Sequence, residues 1–464
     1  MDAVSDPVAL ADLFPHATRA EWLALVEKTL KGAGVETLET RTADGLMVKP
    51  LYAADDAPPA APMAREAAGW DIRVVVAAGE DANAHALDAL AGGATSLLVD
   101  ARDGGKALAR TLDGVVTEVA LVALDSGSAG LEAAYALNSV AKASPGARLA
   151  FHIDPLSAFA EFGGAAPAVE DQIAATAGFA AQLAETYPKA SLFLATGRVI
   201  HEAGGAPACE IAFAAAAALT YAKALTIAGL DMSQAWGRIV LGLSVEAEPI
   251  VGVAKLRAAR VVWDRITSAC GAGVPAHVEA RSSRRMLART DHWTNLVRLT
   301  AAGFAAAVGG ADAVVLGAFD EPLGREPEFL ARRQARNIQL ILKEEAKLGE
   351  ASDPAAGCWA LEAQTDALAR AAWERLTAIE RQGGLIAALT SGSIAREVGE
   401  ARANLQAALA DKSRRIVGVT DFRPSDPPPD EAKGPQKRSF DAPPPHPISR
   451  CPPLAPIRLE DLVA

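Results

Sequence analysis

The chain lacks the residues that would tie it together covalently or around a metal. Its four cysteines, Cys209, Cys270, Cys358 and Cys451, lie far apart in 464 residues, and none falls in a CxxC or Cys/His ligand spacing. A disulfide framework and a clustered zinc site are therefore excluded as organising elements, and a reducing cytoplasm is the expected compartment. Basic clusters are missing as well. With 57 Asp and Glu against 45 Lys and Arg, the formal charge is −12. Phosphate contact needs grouped Lys and Arg, so neither nucleic acid nor an anionic membrane is expected as a partner. The opening MDAVSDPVALADLF carries acids where a signal peptide carries bases and has no continuous apolar core. The stretch nearest to a membrane span, Ile211 to Leu230, is rich in alanine and includes Tyr221 and Lys223. It reads as a buried helix rather than a membrane span.

What remains is a chain that is half apolar and strongly patterned. From Asp71 onward, β-branched runs alternate with alanine-rich helical ones. Strands are predicted at Ile72 to Ala77, Thr95 to Val99, Val119 to Leu124, Arg148 to Ile153, Ser191 to Thr196, Ile239 to Val245, Pro275 to Ala280 and Ala313 to Gly317. Each is followed by a helical segment: Ala82 to Leu90, Gly105 to Leu112, Ala129 to Val140, Ala168 to Thr186, Ile211 to Ala228, Glu248 to Ser268, His292 to Val308 and Glu328 to Leu348. Eight such units, in a span near the ~250 residues typical of that architecture, indicate an α/β fold of the (β/α)8 TIM-barrel type. An open doubly wound sheet is the alternative, but no GxGxxG follows the first strand.

The eighth unit, Asp312 to Asp353, is the most regular. Ala331, Ala335, Ile338 and Leu342 mark one buried helical face, and Pro327 suits the first turn. Before the barrel, Phe14, Trp22, Leu23, Leu25 and Val26 predict an arm with a helix from about Arg19 to Leu30. After it, helices are predicted from Thr365 to Arg381 and Ile394 to Ala410, then a proline-rich extended tail. The expected boundaries are 1–62 for the arm and linker, 63–350 for the barrel, 351–411 for the helical extension and 412–464 for the tail.

Several short segments, in order and at matching spacing, carry a resemblance. They are Lys255-Leu256-Arg257-Ala258-Ala259-Arg260, Asn295-Leu296-Val297-Arg298, Phe319-Asp320-Glu321, Ala335-Arg336-Asn337, Glu344-Glu345 and Asp353-Pro354-Ala355-Ala356-Gly357. Together they resemble the substrate barrel of the methylmalonyl-CoA mutase family from about Phe14 to Leu389. That resemblance implies a radical rearrangement of an acyl-CoA, started by adenosylcobalamin, with the CoA chain threaded along the barrel axis.

The departures from the family pattern are as specific as the matches. Where the family has Gly-Tyr-His after the fifth strand, this chain reads Gly197-Arg198-Val199. An isopropyl group has no donor with which to replace an imidazole at a thioester carbonyl. The Arg-Thr-His-x-Gln signature of strand seven has become His277-Val278-Glu279-Ala280-Arg281, and the ribose-holding Asn has become Gly317. Glu321 alone keeps its identity and is the candidate cofactor contact. The stretch from Ala57 to Trp70 lacks the family's tyrosine- and arginine-rich pattern, and no Asp-x-His-x-x-Gly motif occurs. The strands read VVVAA, SLLV, LVAL, LFLA, VLGLSV and VVLGA, which predicts a filled core rather than a channel.

These departures resemble the small, non-catalytic subunit of a heterodimeric mutase that lacks the cobalamin-binding domain. The expectation is a subunit of an isomerase complex, inactive alone, with no catalytic residue and no metal. Its partner would be a large catalytic subunit that binds adenosylcobalamin. One alternative is an active acyl-CoA mutase barrel that uses a separate cobalamin-binding subunit. A second is an independent metal-dependent barrel enzyme using His152, Asp154, His277 and Glu279 with Asp100, Asp125, Glu246, Asp320 and Glu321. Arg198 is expected to fill or pair within the vacated pocket, His201 and Glu202 to begin a helix, and the tail to wrap on a partner.

Overall fold

The computed structural model describes residues 17–58, 69–425 and 446–463. Eight parallel strands close a barrel: β1 Asp71–Val76, β2 Ser96–Asp100, β3 Leu121–Asp125, β4 Leu149–Ile153, β5 Ser191–Thr196, β6 Ile239–Val245, β7 His277–Ser282 and β8 Ala313–Val315. Each pairs with the next, and β8 closes on β1 with Ala313 opposite Asp71. The chain is thus a (β/α)8 TIM barrel. The arm contributes α1 Arg19–Thr29; around the barrel lie α2 Ala82–Ala91, α3 Leu108–Thr111, α4 Gly130–Ala141, α5 Pro155–Phe162 and α6 Val169–Thr186. The ring continues with α7 Arg198–Glu202, α8 Pro207–Ile227, α9 Met232–Trp236, α10 Pro249–Ala269, α11 Asn295–Val308 and α12 Phe329–Leu340. The extension is α13 Trp359–Arg381, α14 Leu385–Thr390 and α15 Ser393–Ala410.

The alanine-rich α8 starts on Pro207 and is buried on nearly every side, between β5 and β6 on one side and α6, α10 and α13 on the others. Its small side chains allow that close approach, and the apolar run is the core helix of a barrel layer. Three cations of α10 tie the layers together. Lys255 donates to Glu210 of α8 at 2.6 Å, and Arg260 reaches the Ala276 and Gly310 carbonyls and Asp312 at 2.6 to 2.7 Å. Arg257 binds Asp353 and, at 2.6 Å, Glu362 at the start of α13. The resemblance segment from Lys255 to Arg260 is therefore a set of buried ties.

Some elements differ from expectation. The helix predicted from Gly105 begins only at Leu108, because Gly104 and Gly105 both hold positive φ and cannot continue a helix. The helix after β8 starts at Phe329, not at Pro327; Asp320 accepts from the Glu328 amide at 2.9 Å and fixes that entry. Beyond Leu340 it widens into a π turn, Ile341–Glu345. The short helices α5, α7 and α9 were not predicted. His201 and Glu202 end α7 instead of beginning a helix. Residues 446–463 do not extend away: they run back over the chain's own barrel, with Ser449–Arg450 pairing antiparallel to Gly164–Ala165. The predicted positions at Phe14, most of Ala57 to Trp70, and the proline triplets at 427–429 and 443–445 lie outside the described residues.

Because Arg257 has its charge fully enclosed, replacing it strands two acids. Arg257→Met is expected to lower stability by about 3–5 kcal/mol, measured as a shift in urea unfolding. A loss under about 1 kcal/mol would show that the extension is not tied to the barrel through this residue.

Candidate functional site

The interior of the barrel is filled, though not by aliphatic side chains alone. Leu98, Ala123, Ala150 and Val315 make one apolar layer. Beside it, Arg73 of β1 binds Glu279 of β7 and donates to Ser96 at 3.0 Å. β8 lies between β1 and β7, so these two side chains can meet only inside the barrel. Arg281 donates to Glu279 at 2.5 Å, and His152 Nδ1 of β4 lies 3.8 Å from the same carboxylate, reaching across the axis. Burial alone would raise the Glu279 carboxyl, but Arg281 and Arg73 hold it far below the usual carboxylate range. The expectation of a closed core holds, with an ion network as its plug.

Above the plug, at the carboxyl ends of the strands, is a cavity of about 140 Å3 lined in part by Asp125, His152, Asp154, Thr196, Arg198 and Arg281. The β4–β5 register shifts between Ala150 and Ile153, and His152 sits there at φ 49°. This irregularity aims the ring inward. Burial keeps the imidazole neutral, with its pKa down to about 3. Asp154 caps α5 and accepts from the Ser157 amide and hydroxyl, the Thr196 amide at 3.1 Å and the Tyr221 hydroxyl. Even with these donors, burial pushes its pKa up to about 6.

Behind the cavity, His201 Nε2 is 2.8 Å from Ser283 Oγ, and its Nδ1 is 3.5 Å from Glu210, which also takes Lys255 and the Ser244 amide. The order Ser-His-Glu looks like an activated nucleophile. Ser283, Glu210 and His201 are, however, fully buried and do not line the cavity. Without access this is a packing network, which sequence reasoning missed because the partners come from three separate elements.

The C-terminal strap, residues 446–463, roofs one side of the mouth. The amides of Leu454, Ile457 and Leu459 donate to the carbonyls of Ala160, Glu202 and Arg285 at 2.8 to 2.9 Å. Leu454 and Pro456 line the cavity from above. On the β1 side Val75 remains 40% exposed.

The other candidate residues are dispersed. Asp320 holds the loop before α12, and Glu321 accepts from Arg284 Nε at 2.6 Å. A Cβ added at Gly317 would meet the Glu321 carboxylate at 3.1 Å, so the glycine leaves room for this pairing. His277 starts β7 at the opposite end of the barrel and its side chain is 53% exposed, so it cannot join the mouth group. Asp100 is taken by Arg102, and Glu246 by Arg285 and Arg414. Arg198 lines the cavity 3.8 Å from Glu202, with Val199 beside it. No group of three or more His, Cys, Asp or Glu in metal-holding geometry occurs among the described residues.

Comparison with known proteins agrees with this architecture. A family model described as methylmalonyl-CoA mutase matches residues 108–440. A methylmalonyl-CoA mutase small subunit from Streptomyces virginiae is 36% identical over 451 residues, covering 90% of this chain and 72% of that protein. A probable methylmalonyl-CoA mutase small subunit from Mycobacterium tuberculosis is 34% identical, covering 83% of this chain and 66% of its own length. The small subunit from Propionibacterium freudenreichii subsp. shermanii is 28% identical over 91% of this chain and 71% of that protein.

The pKa values at the mouth give opposite pH dependences. His152 stays neutral when folded down to about pH 3. The unfolded chain takes up that proton near pH 6.5, so this group lowers stability as pH falls. Asp154, at about 6 when folded and ~3.9 when unfolded, binds its proton more tightly in the folded state and adds stability as pH falls from 6 to 4. The stability of wild type relative to Asp154→Asn should therefore rise on acidification over that range, by up to ~1.4 kcal/mol per pH unit, read from urea midpoints. A relative stability that stays constant or falls would mean that Asp154 is ionised throughout.

Proposed function

The chain belongs to the methylmalonyl-CoA mutase family, and on that premise we propose that it is the structural, non-catalytic small subunit of a mutase complex. Its partner is a large subunit that binds adenosylcobalamin and carries out the interconversion of methylmalonyl-CoA and succinyl-CoA in the cytoplasm. The observation that carries this reading is the plugged axis: Arg73, Glu279, Arg281 and His152 occupy the path a pantetheine chain would follow. The residues at the mouth do not fit an adenosyl group attached to a corrin. The cavity of about 140 Å3 is below the ~300–1,000 Å3 of pockets that bury a drug-sized ligand. Glu321, the one retained cofactor contact, is paired with Arg284.

The alternatives have less support. An active barrel with a borrowed cobalamin subunit needs a donor where Val199 stands and an open axis. A metal-dependent enzyme needs free carboxylates, whereas Glu279, Glu246 and Asp100 are each bound by arginine.

A role as a supporting subunit calls for a surface that a partner covers, and the arm supplies one. The 11-residue α1 has a complete capping box at Thr18 and Glu21 but no buried residue, and Leu25 is 63% exposed. Helices of that length are marginal in water unless one face is covered. The hairpin that follows, Thr40–Arg41 paired antiparallel with Met47–Val48, is latched to the barrel: Asp44 in its turn accepts from the Ala208 amide at the start of α8 at 3.1 Å. We assign α1 to the partner interface.

The test is co-expression with a large mutase subunit, followed by assay of the complex and of the isolated chain. The complex is expected to be active and the chain alone inactive. Turnover by the isolated chain with added adenosylcobalamin would overturn the reading. Leu25→Asp is expected to weaken association by tenfold or more in a pull-down titration while leaving the unfolding temperature of the free chain unchanged. Full retention of affinity would remove α1 from the interface.

A further inference from the structure

The loop after β7, Ser283 to Thr290, carries three arginines and turns two pairs of consecutive backbone amides towards carboxylates. Arg284 and Arg285 donate to Glu202 at 3.0 to 3.2 Å. Arg289 and Thr290 donate to Glu460 of the strap at 2.6 and 3.0 Å. The Thr290 hydroxyl binds the same carboxylate, Arg289 Nε lies 3.7 Å from it, and the rest of the Arg289 head binds Asp461. Two adjacent amides, a hydroxyl and a guanidinium converging on one anion form the donor set with which proteins hold a phosphoryl group. Here the anion is supplied from about 170 residues away in the chain.

Glu460 is not simply part of a packed core. The strap's end is anchored by this carboxylate and by Leu459, which joins Ala288, Leu405, Leu409, Ile416 and Val419 in a small separate cluster. Asp461, bound by Arg289, and Arg458, which donates to the Arg284 and Leu287 carbonyls, add to these anchors, and a group that displaced Glu460 would remove the one seated in the nest. Upstream, the same strap places Leu454 and Pro456 over the mouth cavity. Burial opposes ionisation of Glu460, but the Thr290 hydroxyl, the two amides and Arg289 hold its carboxyl below the ordinary value. It therefore sits in the nest as an anion at neutral pH.

We propose that the Arg289–Thr290 nest is a binding site for a phosphoryl group, filled in the resting chain by Glu460, and that a phosphate-bearing small molecule competes for it and frees the strap from the barrel mouth. The site is independent of the subunit role assigned above. Free phosphate and a small phosphate monoester share the chemistry the nest recognises.

The experiment is hydrogen exchange on the full chain in inorganic phosphate, in ethyl phosphate and in chloride at equal ionic strength. The amides of Ile457 and Leu459 are expected to exchange about tenfold faster in either phosphate than in chloride. A larger response to ethyl phosphate assigns the site to an organic monoester, and a larger response to inorganic phosphate assigns it to the free ion. In Glu460→Gln, which keeps the shape and removes the charge, the same amides exchange fast in chloride, and phosphate raises the unfolding temperature saturably. Equal exchange rates in all three salts for the wild type, or a Glu460→Gln unfolding temperature that follows ionic strength alone, would overturn the proposal.

Discussion

A carboxylate with no exposure at the centre of a barrel imposes conditions on everything around it. Glu279 is that group. Isolated, it would be protonated or expelled, because the desolvation of a charge in a low-dielectric interior amounts to several kcal/mol. It stays ionised because β1 supplies Arg73 and β7 itself supplies Arg281, while the irregular β4 turns the neutral His152 towards it. Arg73 in turn is held by Asp71 and Ser96. Such a network adds little net stability compared with an apolar core of equal volume. It does fix which side chains point inward on three strands, and it leaves no passage along the axis.

The ties on the outside of the barrel work by the same physics. Lys255, Arg257 and Arg260 are buried cations, each meeting a carboxylate from a different element. Asn295 bridges the Ala288 backbone to the Phe319 carbonyl, and Arg298 connects Asn295 to the Val417 carbonyl. Three of the segments that carry the family resemblance, Lys255 to Arg260, Asn295 to Arg298 and the one that begins at Asp353, therefore coincide with buried polar ties, whereas Glu344-Glu345 is exposed. Of the positions that depart from the family pattern, Arg198 and Val199 line the mouth, Gly317 stands beside Glu321, and Glu279 and Arg281 belong to the plug. At the mouth a change of residue alters the pocket while the scaffold remains.

This division explains how much could be read from the chain before its fold was known. The strands of a parallel barrel are buried on both faces, so they appear as plain apolar runs, and all eight were legible. The same property hides which side of each strand faces the axis. Arg73, Glu279 and Arg281 could be seen as charges within or beside strands, but not as a cluster, because they come together only when the barrel closes. His277 was grouped with Glu279 by the two-residue repeat, which sets the face but not the height along the strand. The short α5 and α7, of eight and five residues, are about two turns and one turn long and buried on most sides, so neither shows a 3.6-residue apolar stripe. The strap reads as a proline-rich tail, and its backbone hydrogen bonds to Ala160, Glu202 and Arg285 leave no side-chain pattern by which to recognise them.

The plug and the strap close the barrel at two heights by different means. The plug consists of charges fixed by strands and can open only if strands separate. The strap is an extended segment held from outside the strands of the barrel by a few amides, the carboxylates of Glu460 and Asp461, Arg458 and the buried Leu454 and Leu459. A threaded acyl-CoA would have to pass both, whereas a small ligand at the mouth would meet only the second. The two closures are therefore independent: the plug is fixed with the strands, and the strap, with the Arg289–Thr290 loop that holds Glu460, lies outside it.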